Sequence, residues 1–295
     1  MRVLIIGSSG FVGRGVFSYI SKKYEVYTAD FSNPREGSFF INLMEKNTIS
    51  KVLNGLSIDI IVNCSGVVEN SDKANYNPSS VKNLLEVIVD DDIKLSRIIT
   101  LGSAAEYGET GNGPVKENLS LKGVSKYALS KIKELEIVKD FVDKNNLPIT
   151  VARLFNPIGP GMNHKQLIPS LVGQVQKIKS GSDNIIEVSR LDSKRDYVDV
   201  SDVARAIDCI IGGNPKSLIY NIGSGISTSN KTIIELIIKE SDLLQEPTII
   251  ETLKDSEPLY ASQASIDLIR DEFGWEPVIG LDKTIKEIIH EAKIN

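Results

Sequence analysis

The chain has 295 residues, 41% hydrophobic and 25% charged, a composition that argues for a folded globular protein and against intrinsic disorder. A formal net charge of −5 argues against a nucleic-acid or membrane-surface partner. Cys64 and Cys209 are the only cysteines and His164 and His290 the only histidines, with no Cys/His cluster, so no metal site is expected and the thiols are expected reduced in a cytoplasmic protein.

Residues 3–6 form the first apolar run, too short for the core of a signal peptide and far below the roughly 18 residues that cross a bilayer. This run is predicted as a buried strand, as are the β-branched runs at 25–29, 58–63, 98–101 and 149–154. Helical spacing falls between them at 12–21, 81–89 and 125–145. Such alternation predicts βαβ units with right-handed crossovers, an α/β fold whose doubly wound parallel sheet is covered on both faces. After Asn156 the texture loosens at Pro157, Gly159, Pro160 and Gly161, the expected boundary. A helix at 166–179, a strand at 185–188 and helices at 203–211, 231–241 and 281–292 complete the reading.

Gly7-Ser8-Ser9-Gly10-Phe11-Val12-Gly13 leaves the first strand and opens the first helix. Glycines let the backbone turn and approach a pyrophosphate, while the helix N-terminus presents free N–H groups and a positive dipole end. Its place directly after an N-terminal strand favours a dinucleotide site over a bare strand-to-helix turn. Asp30 ends the second strand, where a carboxylate accepts the adenosine ribose hydroxyls and repels a 2′-phosphate. NAD(H) is therefore expected in preference to NADP(H). Arg14 and Arg35 keep the opposite choice open, because either guanidinium could pair with that phosphate.

Tyr127-Ala128-Leu129-Ser130-Lys131 places a tyrosine and a lysine one turn apart on one helix face. A neighbouring ammonium stabilises a phenolate, so the phenol can exchange a proton with a substrate oxygen near neutral pH. Tyr19 and Lys23 share the spacing, but they lie on the helix after the glycine loop, away from any strand end. Ser103 follows the strand at 98–101, where the crevice of an open α/β sheet lies, and its hydroxyl could bond the reacting oxygen. Ser103, Tyr127 and Lys131 are the expected catalytic trio.

Together these segments resemble the extended short-chain dehydrogenase/reductases, the NAD-dependent epimerase/dehydratase family acting on nucleotide sugars. Asn63-Cys64-Ser65-Gly66, Asn77 and Asn83-Leu84-Leu85-Glu86, Ser103-Ala104-Ala105-Glu106-Tyr107-Gly108, Arg153-Leu154-Phe155-Asn156-Pro157-Ile158-Gly159-Pro160-Gly161, Arg195-Asp196-Tyr197-Val198-Asp199-Val200, Tyr220-Asn221-Ile222-Gly223 and Gly274-Trp275-Glu276-Pro277 carry the likeness. It implies a Rossmann-type dinucleotide domain at 1–156, joined by 196–224. A smaller, mixed α/β region at 157–195 and 225–295 would hold the nucleotide sugar, in a homodimer. On the same basis the cofactor would touch the glycine loop, Asp30, Asn42, Leu43, Cys64, Ser65, Gly66, Asn77 and Phe155 as well as Tyr127 and Lys131. Asn42 stands where the family usually has an aspartate near the adenine. The substrate would touch Ser103, Glu106, Asn156 and Arg195, the last two at its diphosphate. Glu106 reaching the sugar or merely capping a turn, and Arg195 gripping phosphate or pairing with Asp196 or Asp199, are the competing readings of those residues.

Sugar 4,6-dehydratases of the family carry an Asp-Glu pair after the active-site serine or threonine; here Ala104 and Ala105 stand there, which argues against dehydration. The serine segment and the Asn156 junction look most like reductases of nucleotide-linked 4-keto-6-deoxyhexoses. A nucleotide-sugar 4-epimerase is the alternative, and a non-catalytic cofactor-binding sensor or scaffold a further one.

Overall fold

Strand β1 (Arg2–Ile6) is buried on both faces, and its alternation divides the molecule. Val3 and Ile5 enter one core, Leu4 and Ile6 the other. A continuous run of branched apolar residues is what such a two-sided strand requires. The computed structural model describes residues 1–32, 34–111, 113–253 and 261–294. After β1 come α1 (Phe11–Ile20), β2 (Glu25–Asp30), β3 (Phe39–Phe40), α2 (Lys46–Gly55), β4 (Ile60–Asn63), α3 (Tyr76–Asp90), β5 (Arg97–Ser103), α4 (Lys126–Asn145) and β6 (Ile149–Leu154). The chain continues through β7 (Asn156–Ile158), α5 (Leu167–Lys179), β8 (Ile185–Val188), β9 (Lys194–Asp199), α6 (Val200–Gly212) and β10 (Ile219–Ile222). It ends with β11 (Ser227–Ser229), α7 (Asn230–Glu240), β12 (Thr248–Glu251), α8 (Asp267–Phe273) and α9 (Leu281–Ile294).

A seven-stranded sheet runs in the order β10-β6-β5-β4-β1-β2-β3 with every pairing parallel. The chain winds outward from β1 in both directions, so the order reverses beside β1 and a crevice opens at the strand C-termini there. Helices α1 and α6 and the buried Trp275 cover one face; α2, α3 and α4 cover the other. A third core joins Ile168 and Leu171 of α5, Ile186 of β8, Ile233 and Ile237 of α7 and Ile285 of α9. Two small sheets, β11-β9-β7 and β12-β8, support this outer region.

The five strands expected in the first half are present, with β5 running on to Ser103 and β4 starting at Ile60. Helix α2 went unread because only Ile49, Val52 and Leu53 of its residues are buried. Strands β7 and β11 have three residues each, too few to show a period. The expected boundary at residue 156 falls inside β7, which pairs with β9 through Asn156–Tyr197. Past that point α6 packs on α1 through the first core, and β10 pairs with β6.

Candidate active site

Gly7 has φ of +80°, and a Cβ there would stand 2.7 Å from the Ser65 nitrogen at the end of β4. A Cβ on Gly13 would stand 2.1 Å from the Gly7 carbonyl oxygen. Both positions need glycine because backbone approaches backbone where the loop turns into α1. Gly10 is the N-cap of α1 and brings no capping side chain, and the first turn carries no acidic residue. A helix start with uncapped N–H groups beside a tight loop suits a pyrophosphate, so these residues fit a dinucleotide.

Asp30 is only 2% exposed. Its carboxylate accepts from the Ser8 hydroxyl at 2.6 Å, the Ser9 N–H and hydroxyl at 2.8 Å each, and the Ser38 hydroxyl at 3.0 Å. Arg14 stands near this corner, bonded to backbone carbonyls. Its guanidinium donates to the carbonyls of Ser9 and Gly161, both at 2.8 Å, and ties the glycine loop to the turn after β7. Arg35 lies 4.3 Å over the Phe17 ring.

Along the rest of the expected cofactor lining, Ser65 donates to Asn63 Oδ1 at 2.6 Å. Asn77 accepts from the Val67 N–H at 2.7 Å and donates to Ser130 Oγ at 3.2 Å, clamping the turn that contains Gly66 against α4. Burial pushes the Cys64 thiol up to about 12, with the Asp30 charge adding to the effect, so this cysteine is no nucleophile. Asn42 organises the start of α2, donating to Glu45 and accepting from the Met44 N–H. The Leu43 and Phe155 side chains are 1% and 2% exposed and belong to the packed core. Phe31 and Phe40, which sequence reasoning passed over, are exposed and stand 6.0 Å apart at the ends of β2 and β3.

Ser103 ends β5 and caps the short 3-10 helix Ala104–Tyr107, its hydroxyl accepting from the Ala105 N–H at 3.2 Å. Ser125 caps α4 by accepting from the Ala128 N–H at 3.1 Å, which starts that helix just before Tyr127. Lys131 follows one turn later and is 6% exposed. Its ammonium donates to the Leu101 carbonyl at 2.6 Å and to Glu134 Oε2 at 2.6 Å. Burial, the largest influence, lowers the lysine pKa, but Glu134 together with Tyr127 and Glu106 outweighs it and holds Lys131 above its ordinary value. Glu134 was absent from the sequence reading, although its i+7 spacing from Tyr127 puts it on the same helix face. Of the other tyrosine–lysine pair only Tyr19 lies on α1; Lys23 falls in the turn after it, where it meets Asp208 of α6 at 2.5 Å and Tyr19 at 3.4 Å.

Glu106 does not face a sugar. It is 1% exposed, and its two oxygens accept from the Ser103 N–H at 2.6 Å and from the Arg153 guanidinium at 2.7 Å. Arg153 also donates to the Tyr107 hydroxyl at 2.7 Å, which donates in turn to Asn221 Oδ1 at 2.8 Å. A buried arginine needs a carboxylate and further acceptors, and Glu106 is that carboxylate; it acts through the backbone of Ser103. This pairing joins the 3-10 helix after β5 to strand β6, so no local spacing announced it.

Asn156 donates to the Asp196 carbonyl at 2.8 Å, fixing β7 to β9 beside Arg195. The Asp196 carboxylate accepts from the N–H groups of Ser224, Gly225 and Ala264 and from the Ser224 hydroxyl, at 2.6–2.9 Å. Asp199 accepts from the Ser201 N–H and the Thr284 hydroxyl. A 530 Å³ cavity next to β9 and β11 is lined by Lys194, Ser227, Gln263 and the glycines 111 and 113 among others. Among the described residues no group of three or more His, Cys, Asp or Glu side chains is placed to hold a metal ion, and no helix is long and apolar enough to cross a membrane.

A parallel sheet with a glycine loop at its reversal point defines a Rossmann-type α/β protein. Residues 3–223 match the model of the NAD dependent epimerase/dehydratase family, and the chain belongs to that family. The chain is 29% identical over 250 residues to a GDP-6-deoxy-D-talose 4-dehydrogenase of Aggregatibacter actinomycetemcomitans, covering 82% of this chain and 80% of that one. It is 23% identical to a GDP-6-deoxy-D-mannose reductase of Pseudomonas aeruginosa, covering 97% and 94%. The fold matches the structure of RMD from Pseudomonas aeruginosa complexed with NADPH, with a TM-score of 0.84, 24% identity and 98% of each chain covered.

Proposed function

We propose that the protein is a reductase of a nucleotide-linked 4-keto-6-deoxy sugar. The observation that carries this reading is the trio at the strand ends: Ser103 closes β5, while Tyr127 and Lys131 share one face of α4. Nicotinamide, when bound, supplies the hydride. The chain's own part is to seat the dinucleotide on the glycine loop and to hold the keto oxygen against Ser103. Tyr127 then donates a proton to that oxygen, and Lys131 keeps positive charge beside it. Ala104 and Ala105 offer no acid or base for eliminating water. The likeness to a named dehydrogenase and a named reductase of 6-deoxy sugars supports the substrate class.

In this reading NAD(H) is preferred over NADP(H). Asp30 is held by the neutral donors of Ser8, Ser9 and Ser38, which leave its charge in place to oppose a 2′-phosphate. Residues 1–156 with 196–224 carry the dinucleotide. Residues 157–195 and 225–295 carry the nucleotide sugar, with Arg195 and Asn156 at its diphosphate. Arg195 suits this task because a guanidinium fork matches phosphate geometry. The working assembly in this reading is a homodimer in the cytoplasm with no nucleic-acid or membrane partner. Reduction of GDP-, dTDP-, UDP- and CDP-linked 4-keto-6-deoxyhexoses, followed by loss of NADH and NADPH absorbance, tests the reading. At least one keto sugar should be turned over; consumption of none would refute it.

A further inference from the structure

Glu134 is a buried carboxylate that the proposed chemistry does not use, and its surroundings are specific. The Lys131 and Glu134 side chains are 7% and 6% exposed and meet at 2.6 Å. The remaining Glu134 oxygen accepts from the Thr100 hydroxyl at 3.4 Å, and the lysine's other acceptor is the neutral Leu101 carbonyl at 2.6 Å. We propose that Glu134 is the counterion that keeps Lys131 charged and fixed inside the site, a positioning residue for the Tyr127–Lys131 pair. The proposal rests on the reading of that pair as the reacting one.

The charge balance around the ammonium leaves this task to Glu134. Tyr127 faces the lysine from the same helix. Glu106 faces it from the 3-10 helix after β5, but that carboxylate is committed to Arg153 of β6 and to the Ser103 N–H. With Glu134 removed, Lys131 would retain one neutral acceptor in a desolvated setting. Buried lysines of that kind lose their proton well below the ordinary value. Two of the three ammonium hydrogens are taken by Leu101 and Glu134, and the third remains for a ribose hydroxyl. Tyr127, Lys131 and Glu134 follow each other at i, i+4 and i+7, so one helix face holds the phenol, the cation and its counterion in line.

The direct test is an NMR titration of ¹³C-labelled lysine in the wild type, Glu134→Gln and Glu134→Asp, with Lys131 assigned by its loss in Lys131→Met. Lys131 should titrate at least about one pH unit lower in Glu134→Gln than in the wild type, and Glu134→Asp should recover most of the difference. Turnover of Glu134→Gln should then fall by up to about tenfold per pH unit above that new pKa, where the wild type stays level. An unchanged Lys131 titration would overturn the proposal. The titration needs no substrate, so it succeeds or fails independently of the reductase reading. If Glu134→Gln does not fold, the double variant Lys131→Met, Glu134→Gln decides. Removing both charges together should restore folding, because a buried pair is replaceable as a unit where a single buried charge is not. A double variant that also fails to fold would count against the pairing.

Discussion

The proposed reaction asks Tyr127 for a single proton transfer, and that sets the scale of its loss. Tyr127→Phe should keep the circular dichroism and cofactor affinity of the wild type while turnover drops about 10²–10⁴-fold, the range for a positioned acid. Near wild-type turnover in a folded variant would remove it from the mechanism. Asp30→Asn removes the charge and keeps one acceptor oxygen for Ser9, while its NH2 can donate to the Ser8 and Ser38 hydroxyls. It should lower the ratio of kcat/KM for NADH over NADPH by about tenfold, the effect of roughly 1.4 kcal/mol of repulsion at the 2′-phosphate. Tyr127 and Lys131 were legible because a helix converts spacing four into proximity. Glu106 was legible as a turn cap, which its bond from the Ser103 N–H makes it, but its pairing with Arg153 and the pairing of Glu134 with Lys131 were not. Whether a charged residue is solvated or buried depends on partners such as Arg153, on a strand laid down much later in the chain.

At the scale of the element, α4 is begun by one side chain. Ser125 Oγ accepts from the Ala128 N–H, and the first turn it fixes contains Tyr127. Ser125→Ala should cost about 1 kcal/mol of stability, read as a lower urea midpoint with unchanged slope. A midpoint within error of the wild type would mean that packing of Leu135 and Val138 alone sets the helix start. The strands of the main sheet were readable because burial on both faces demands unbroken apolar runs, as in β1 and β4. Strand β9 reads Lys-Arg-Asp-Tyr-Val-Asp and hid its nature, since a charged residue in it, Asp196, is buried by accepting N–H groups from loops at 224–225 and 264. Helix α2 hid for a related reason: few of its residues reach the core.

At the scale of the whole molecule, the glycine loop follows β1 of the main sheet and Arg195 lies in β9 of a small one. If Arg195 holds the substrate diphosphate, Arg195→Ala should raise the dissociation constant of a free nucleoside diphosphate about ten- to a hundred-fold, from the roughly 1.5–3 kcal/mol of a charge-assisted bond. Affinity for the dinucleotide should stay the same. Calorimetric titration of both ligands checks this, and unchanged diphosphate affinity would make the arginine structural. The return of α6 and β10 to the first sheet was visible in sequence only through family resemblance, because nothing local to Ile219–Ile222 says which strand it will join. The proposed reaction is net reduction at C4 of a nucleotide sugar. It is tested by turnover of a nucleotide-linked 4-keto-6-deoxyhexose with NADH deuterated at the transferring position, followed by NMR of the product and assay of free cofactor. Deuterium at C4 and one oxidised cofactor released per product are expected. Interconversion of 4-epimers with the cofactor retained and no deuterium gained would contradict it.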